Sequence, residues 1–393
     1  MRELNKLEVN VLKYFLYCFV GSFFITSPIS FVYFQNELGL TLTQLMLTAS
    51  FFSIITAILE IPAGLIGDKF SYKRNLVIGD IGIILGSLGY ALSSKFSHIL
   101  ISEIFWGIGY AFVISAFNAF LYQTLHNLNW EQKYTEIKGK GTAFALAGLA
   151  LSAILGGFLA KINIRLPLIL SPFILILPLL ISISYTEPIR LKSEKEKNVS
   201  FLDALIYVNS HKNLLFLLLF TLFVSVSSVI TFSFFQPFLL SLGIDIQLFG
   251  IILSISYFFS GIGSIISHKL NAKFKPKQLL FAIAIISFIS ISILGYVHSL
   301  FSLIGVLFLW ASDGVRYPLL SDYINRKLKN YNRATINSLV DMTRRIVIAG
   351  VLPIMGKIGD TVGLHRVFII NSLILLFGLL LLYPIQEAAF QTI

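Results

Sequence analysis

Long apolar runs, each closed by a polar break, recur from one end of the chain to the other. Twelve of them, approximately 11–34, 43–66, 75–94, 98–122, 139–160, 166–185, 213–236, 247–268, 278–297, 300–322, 335–357 and 365–385, are long enough to cross about 30 Å of hydrocarbon as helices. The one substantial hydrophilic interruption, 186–212, carries Arg190, Lys192, Glu194, Lys195, Glu196 and Lys197 and separates six runs from six more. Its latter part, Phe201-Leu202-Asp203-Ala204-Leu205-Ile206-Tyr207-Val208, suits a short interfacial helix. The pattern predicts an all-α polytopic membrane protein in three parts. These are an N-terminal six-helix bundle (1–186), a cytosolic linker (187–212) and a C-terminal six-helix bundle (213–393).

Composition sharpens this picture. The chain is 56% hydrophobic and 12% charged, where a soluble domain carries about twice that charge. Its mean hydropathy is +0.84. The net charge of +11 could suggest nucleic acid, but its distribution reads as topology. Of the 30 Lys and Arg, only Lys95, Lys161, Arg165, Lys357 and Arg366 fall in outer loops, and Arg316, Arg344 and Arg345 lie inside helices. All others are cytosolic if both termini are cytosolic, as the positive-inside rule requires. Nucleic acid is therefore not an expected partner; the lipid bilayer is. Cys18 stands alone, so no disulfide framework is expected. The first run lacks a small-residue cleavage site, and no removable signal peptide is expected. The six histidines are scattered near helix ends, and neither His-Glu-x-x-His nor a phosphate-cradling Gly-x-x-x-x-Gly-Lys loop occurs. No enzyme, metal or cofactor is expected, and an ion gradient is the natural energy source.

The most informative stretch is Glu60-Ile61-Pro62-Ala63-Gly64-Leu65-Ile66-Gly67-Asp68-Lys69-Phe70-Ser71-Tyr72-Lys73-Arg74. It leaves room only for a tight cytosolic hairpin at 67–74. An aspartate at such a turn can accept hydrogen bonds from amides at a helix N-terminus or pair with a base. The segment resembles the loop 2–3 signature of the major facilitator superfamily, Gly-x-x-x-Asp-Arg-x-Gly-Arg-Lys. Gly64, Asp68, Lys69 and Lys73 fit it, while Ser71 replaces a glycine and Tyr72 a base. Gly139, Gly148, Gly156 and Gly157 fall on the spacing of the family's helix 5 antiporter motif, with Ser152-Ala153 in place of its Gly-Pro pair. Such small residues allow close helix packing, and in the family this face meets the other half across a central cavity. Thr186-Glu187-Pro188, and Asn325 followed by Arg333-Ala334-Thr335, resemble bacterial drug-efflux-like members. The resemblance covers nearly the whole chain. It implies two pseudo-symmetric six-helix bundles, alternating access, and a monomer in a bacterial cell membrane. Faint internal similarity supports duplication: 106–122 resembles 310–323, and the basic hairpin 268–277 occupies the position of 67–74 without an aspartate.

Charges inside a bilayer are costly and are expected to face a cavity or a partner. Glu103 lies four residues before Gly107, where family antiporters usually carry an arginine linked to proton coupling; alternatively it is solvated at the outer mouth. A carboxyl in a partly dry site is expected to exchange a proton within the physiological range. Asp313 and Arg316 share a helix face and can pair, either as a switch or as a static neutral pair. Asp80 pairs with a base or sits in the pathway. Asp341 with Arg344 and Arg345 repeats the pairing spacing near the hairpin. Together with Glu60, Lys69, Lys73 and Arg74 these residues are expected to form a cytosolic gate.

Asn118 and Gln123 stand where related members often have acids, which argues against a strongly cationic substrate. Most of the 36 Phe, 16 Tyr and 3 Trp must face lipid or fill helix contacts, but some should line a greasy pocket. Phe24, Trp106, Gln236, Tyr257 and Trp310 are the candidates by helix position. The leading expectation is proton-coupled efflux of a small amphipathic compound. Proton-coupled nutrient import and lipid flipping are the alternatives on the same fold, and a non-transporting membrane protein is the alternative from another class.

Overall fold

Hydrocarbon offers no water to a peptide group, so a spanning backbone must satisfy its hydrogen bonds within itself, and helices do so. The computed structural model describes residues 2–189, 201–326 and 330–385; the side chains of 2–5, Asp68, 201–202, 326 and 330–335 also lie outside the described set. Among the described residues the regular elements are all helical. In order they are α1 (Arg2–Gly21), α2 (Ser30–Leu38), α3 (Leu42–Lys69), α4 (Tyr72–Ala91), α5 (Phe96–Asn127), α6 (Tyr134–Ile162), α7 (Leu166–Ile174) and α8 (Ile176–Ser184). There follow α9 (Phe201–Ser210), α10 (Lys212–Ser233), α11 (Phe235–Ser241), α12 (Ile246–Lys273), α13 (Pro276–Tyr296), α14 (Leu303–Arg326), α15 (Asn330–Val362) and α16 (Leu364–Leu380).

Every expected span is occupied by a helix or a helix pair, but three are not single rods. The segment 11–34 becomes α1 and α2, with turns across 22–29. Span 166–185 breaks after Ile174, and span 213–236 breaks after Ser233. Proline explains all three. Pro178 and Pro237 lie four residues beyond Ile174 and Ser233, where their rings clash with those carbonyls and no N–H answers them. Pro28 disfavours helix at Ser27. Eight helices among the described residues are long and apolar enough to span on composition alone. The other four expected spans belong to α1, with Lys6, Glu8 and Lys13 along it; α4, with Lys73, Arg74 and Asp80; α15, with Asp341, Arg344, Arg345, Lys357 and Asp360; and α16, which is short, with 17 residues.

The chain divides into two compact units. The first takes residues up to 192 together with Ile244–Ser254; the second takes 193–243 and 255 onward. In the first, α5 packs on α3 and α4. Glycines set the α4–α5 distance: a Cβ on Gly109 would lie 2.6 Å from the Gly79 carbonyl oxygen and 2.6 Å from the Ile83 nitrogen. On α6, Gly148 abuts the Phe19 carbonyl, Gly156 the Ile25 carbonyl, and Gly157 the Gln247 carbonyl of the α12 turn belonging to this unit. Gly139 differs from expectation. It is exposed, with no described residue within 4 Å of an added Cβ; Gly141, two residues on and so on the opposite side of α6, is the one that abuts Tyr14. In the second unit, α13 packs on α14 and α16, and Gly314 abuts the Ser260 carbonyl.

The hairpin between α3 and α4 is as short as expected. Ser71 caps α4, its Oγ accepting from the Arg74 N–H at 3.0 Å. That role explains a serine where the family pattern has glycine, since Ser71 sits at φ −170°, extended backbone open to any residue. Glu187, beyond α8, completes the cap: it accepts from Ser71 Oγ (2.7 Å) and from the backbone N–H groups of Tyr72 and Lys73 (2.9 Å each). A carboxylate on exposed amides also complements the helix dipole. Asn10 of α1 braces the same strap, exchanging hydrogen bonds with the Thr186 backbone at 2.7 and 3.0 Å.

Two stability predictions follow from this geometry. Gly109→Ala should cost roughly 1–3 kcal/mol by overpacking, read as a lower midpoint in thermal unfolding in detergent, whereas Gly139→Ala should leave the midpoint unchanged. Glu187→Ala should remove roughly 1–3 kcal/mol and expose α4 amides to faster hydrogen exchange.

Candidate membrane-buried site

Glu103 is buried at 5% exposure on α5, and its Oε1 accepts a hydrogen bond from the Tyr90 hydroxyl of α4 at 2.6 Å. It is therefore not solvated at a mouth, and among the described residues no cation pairs with it. Tyr90 packs edge-on against Phe34 (5.2 Å between centroids) and lies 6.0 Å from Trp106. The carboxyl thus sits behind an aromatic wall.

Asp80, 3% exposed on α4, also meets hydroxyls rather than a base. Tyr17 of α1 donates to its Oδ1 at 2.7 Å, and Ser182 of α8 donates to its Oδ2. One carboxyl thereby joins three helices of the first unit. Asp80 borders a cavity of about 270 Å³ with Phe24, Tyr110 and Phe117 along its wall.

The second unit answers its acid differently. Arg316 donates to Asp313 Oδ1 through Nη2 at 2.8 Å and Nε at 3.1 Å, and Ser228 of α10 donates to the same oxygen at 3.0 Å. Arg316 is 6% exposed, and Asp313 opens onto a cavity of about 200 Å³ shared with Thr231, Phe232 and Trp310. Asn371 of α16 steadies this wall by donating to Thr231 Oγ1 at 2.9 Å.

The aromatic candidates meet in pairs, one in each unit. Phe24 and Trp106 lie 5.7 Å apart; Trp310 lies 5.8 Å from Phe232 and 5.3 Å from Tyr257. The same Phe–Trp contact therefore recurs in both halves. The Trp106 indole N–H is buried without an acceptor among the described residues. Gln236 is buried on α11, Gln123 is half-buried and Asn118 is exposed on α5.

Of the expected gate residues, Gly64, Glu60 and Lys73 are half-buried, and Lys69 and Arg74 are exposed. The side chain of Asp68 and those of Arg333-Ala334-Thr335 lie outside the described residues. Asp341 pairs with Arg344 at 3.3 Å, and Arg345 is buried. Tyr90, Tyr17, Ser182, Ser228 and Glu187 were not singled out as partners by sequence reasoning. A tyrosine within an apolar run is the signal that could have found the first two.

Comparison with known proteins supplies the setting. The Major Facilitator Superfamily profile matches residues 14–352. An uncharacterized MFS-type transporter of Bacillus subtilis (strain 168), YxaM, is 21% identical over 372 residues, spanning 91% of this chain and 90% of that protein. The methyl viologen resistance protein SmvA of Salmonella typhimurium is 28% identical over 125 residues, 32% of this chain and 24% of SmvA. Among solved structures, a variant of the nucleoside transporter NupG superposes with a TM-score of 0.81 at 14% identity, covering 96% of this chain and 99% of that one. With the helical architecture, the duplicated aromatic contact and the profile match in agreement, this chain belongs to the Major Facilitator Superfamily of membrane transporters.

Proposed function

We propose that this chain is a proton-coupled secondary transporter that exports a small amphipathic compound by alternating access, acting as a monomer in a bacterial cell membrane. The Glu103–Tyr90 pair carries the reading. A charge on Glu103 would stand in a dry site with a phenol and no cation beside it, at a cost of several kcal/mol. Ionising Glu103 and admitting water to it are therefore coupled events, which is what a proton-driven gate requires. Each proton can contribute about 2.3 kcal/mol per 100 mV if its charge crosses the whole field.

The remaining residues fall into supporting roles. Asp313, Arg316 and Ser228 form a second polar centre that a proton or a solute can open by competing for the pair. Asp80 holds α1, α4 and α8 together and borders the cavity of the first unit. Phe24, Trp106, Tyr257 and Trp310 offer flat apolar faces with few directional groups, suiting an amphipathic solute. The open indole N–H of Trp106 offers it one hydrogen bond. The partial likeness to SmvA, a methyl viologen resistance protein, agrees with export. The α3–α4 hairpin with Asp68 stabilises one closed arrangement of the cytosolic side.

One observation favours import instead: Ser152-Ala153 occupies the place of the antiporter Gly-Pro pair on α6. Direction is read in substrate-loaded proteoliposomes containing wild-type protein. Export coupled to proton entry predicts labelled solute leaving the compartment that is not acidified; movement with the protons would establish symport.

Glu103→Gln should abolish pH-driven flux while leaving solute binding within about twofold of wild type, because the amide keeps the Tyr90 hydrogen bond. Undiminished pH-driven flux in this variant overturns the coupling role. Asp68→Asn should slow turnover at least about tenfold with the binding constant unchanged, and wild-type turnover would remove it from the gate.

A further inference from the structure

Among the described residues, no ion pair ties Lys269, Lys273 or Lys275 of the basic hairpin joining α12 and α13 to an acid. No Asp or Glu occurs between 246 and 312. Lys269, Lys273 and Lys275 are exposed, whereas Lys277 is already engaged, donating to the Tyr383 and Ile385 carbonyls at 2.8 and 2.7 Å. Asp322 lies with His268 and Asn271 in a separate cleft.

Directly beneath this hairpin, α12, α13 and α14 enclose a groove of about 500 Å³ within the second unit. Ile262, Ile266 and Leu270, spaced four apart, line it along α12 for about 12 Å. Phe308 forms part of the facing wall, 57% exposed. Phe274 closes the hairpin end, with the Lys273 ammonium 5.7 Å from its ring centroid. A greasy channel thus runs up to a cluster of cations at the cytosolic end of the helices.

We propose that this groove binds one anionic phospholipid of the cytosolic leaflet, an acyl chain lying along Ile262, Ile266 and Leu270 and the headgroup phosphate meeting Lys269, Lys273 and Lys275. The apolar channel selects a chain, and the uncompensated lysines select net negative charge, each near-surface lysine favouring an anionic lipid. A zwitterionic lipid fills the same groove but gains little from the cations. The site is independent of transport direction and of Glu103.

Native mass spectrometry of the purified full-length protein, given equal amounts of dioleoyl phosphatidylglycerol and dioleoyl phosphatidylcholine, tests this. The wild type should retain one phosphatidylglycerol at least about tenfold over phosphatidylcholine. Replacing Lys269, Lys273 and Lys275 with Gln should erase that preference. Ala282→Trp, placed at an exposed position of the groove wall, should displace both lipids and leave the lysines intact. Absence of preference in the wild type, preference surviving the triple replacement, or undiminished retention in Ala282→Trp would each overturn the proposal.

Discussion

The expense of a charge in hydrocarbon governs how this molecule is put together. Each deeply placed acid has an answer, and the answers dictate which helices must touch. Asp80 needs donors from α1 and α8, so those helices close around α4. Glu103 needs Tyr90, which fixes the rotation of α5 against α4. In the second unit the acid and its base share α14, so pairing costs no helix placement there, and Ser228 alone reaches across from α10.

Backbone approach supplies the other half of the architecture. Where glycines face carbonyls, as at Gly79 with Gly109, helices come close enough for a polar contact of under 3 Å, Tyr90 to Glu103, to span α4 and α5. Where prolines interrupt, the rods bend. The freed backbone groups at 22–29 are taken up by turns, as in Ser27 N–H to the Phe24 carbonyl at 3.0 Å.

Much of the fold was legible in the sequence because hydropathy is additive along a helix. Every apolar run became a helix or a helix pair. The breaks after Ile174 and Ser233 were hidden because hydropathy averaging does not register proline geometry: Pro178 is diluted within its run, and Pro237 lies just past the end of its own. The buried acids were legible as anomalies; their partners were not. A tyrosine such as Tyr17 or Tyr90 reads as packing until geometry brings its hydroxyl to a carboxyl 63 or 13 residues away. Glu187 stood out only as part of a Thr-Glu-Pro pattern, since the amides it accepts belong to a turn more than 110 residues upstream. Gly139 shows the reverse failure: its spacing fitted a packing motif, but no described residue lies within 4 Å of an added Cβ there.

The unequal chemistry of the two halves has an electrical meaning. Arg316 and Asp313 together are a dipole with no net charge, on which a voltage exerts almost no net force. Glu103 and Asp80, answered only by neutral hydroxyls, carry a full unit of charge whenever they lose a proton. A membrane potential would therefore pull on Glu103 or Asp80 once ionised, and not on the Arg316–Asp313 pair while it stays intact.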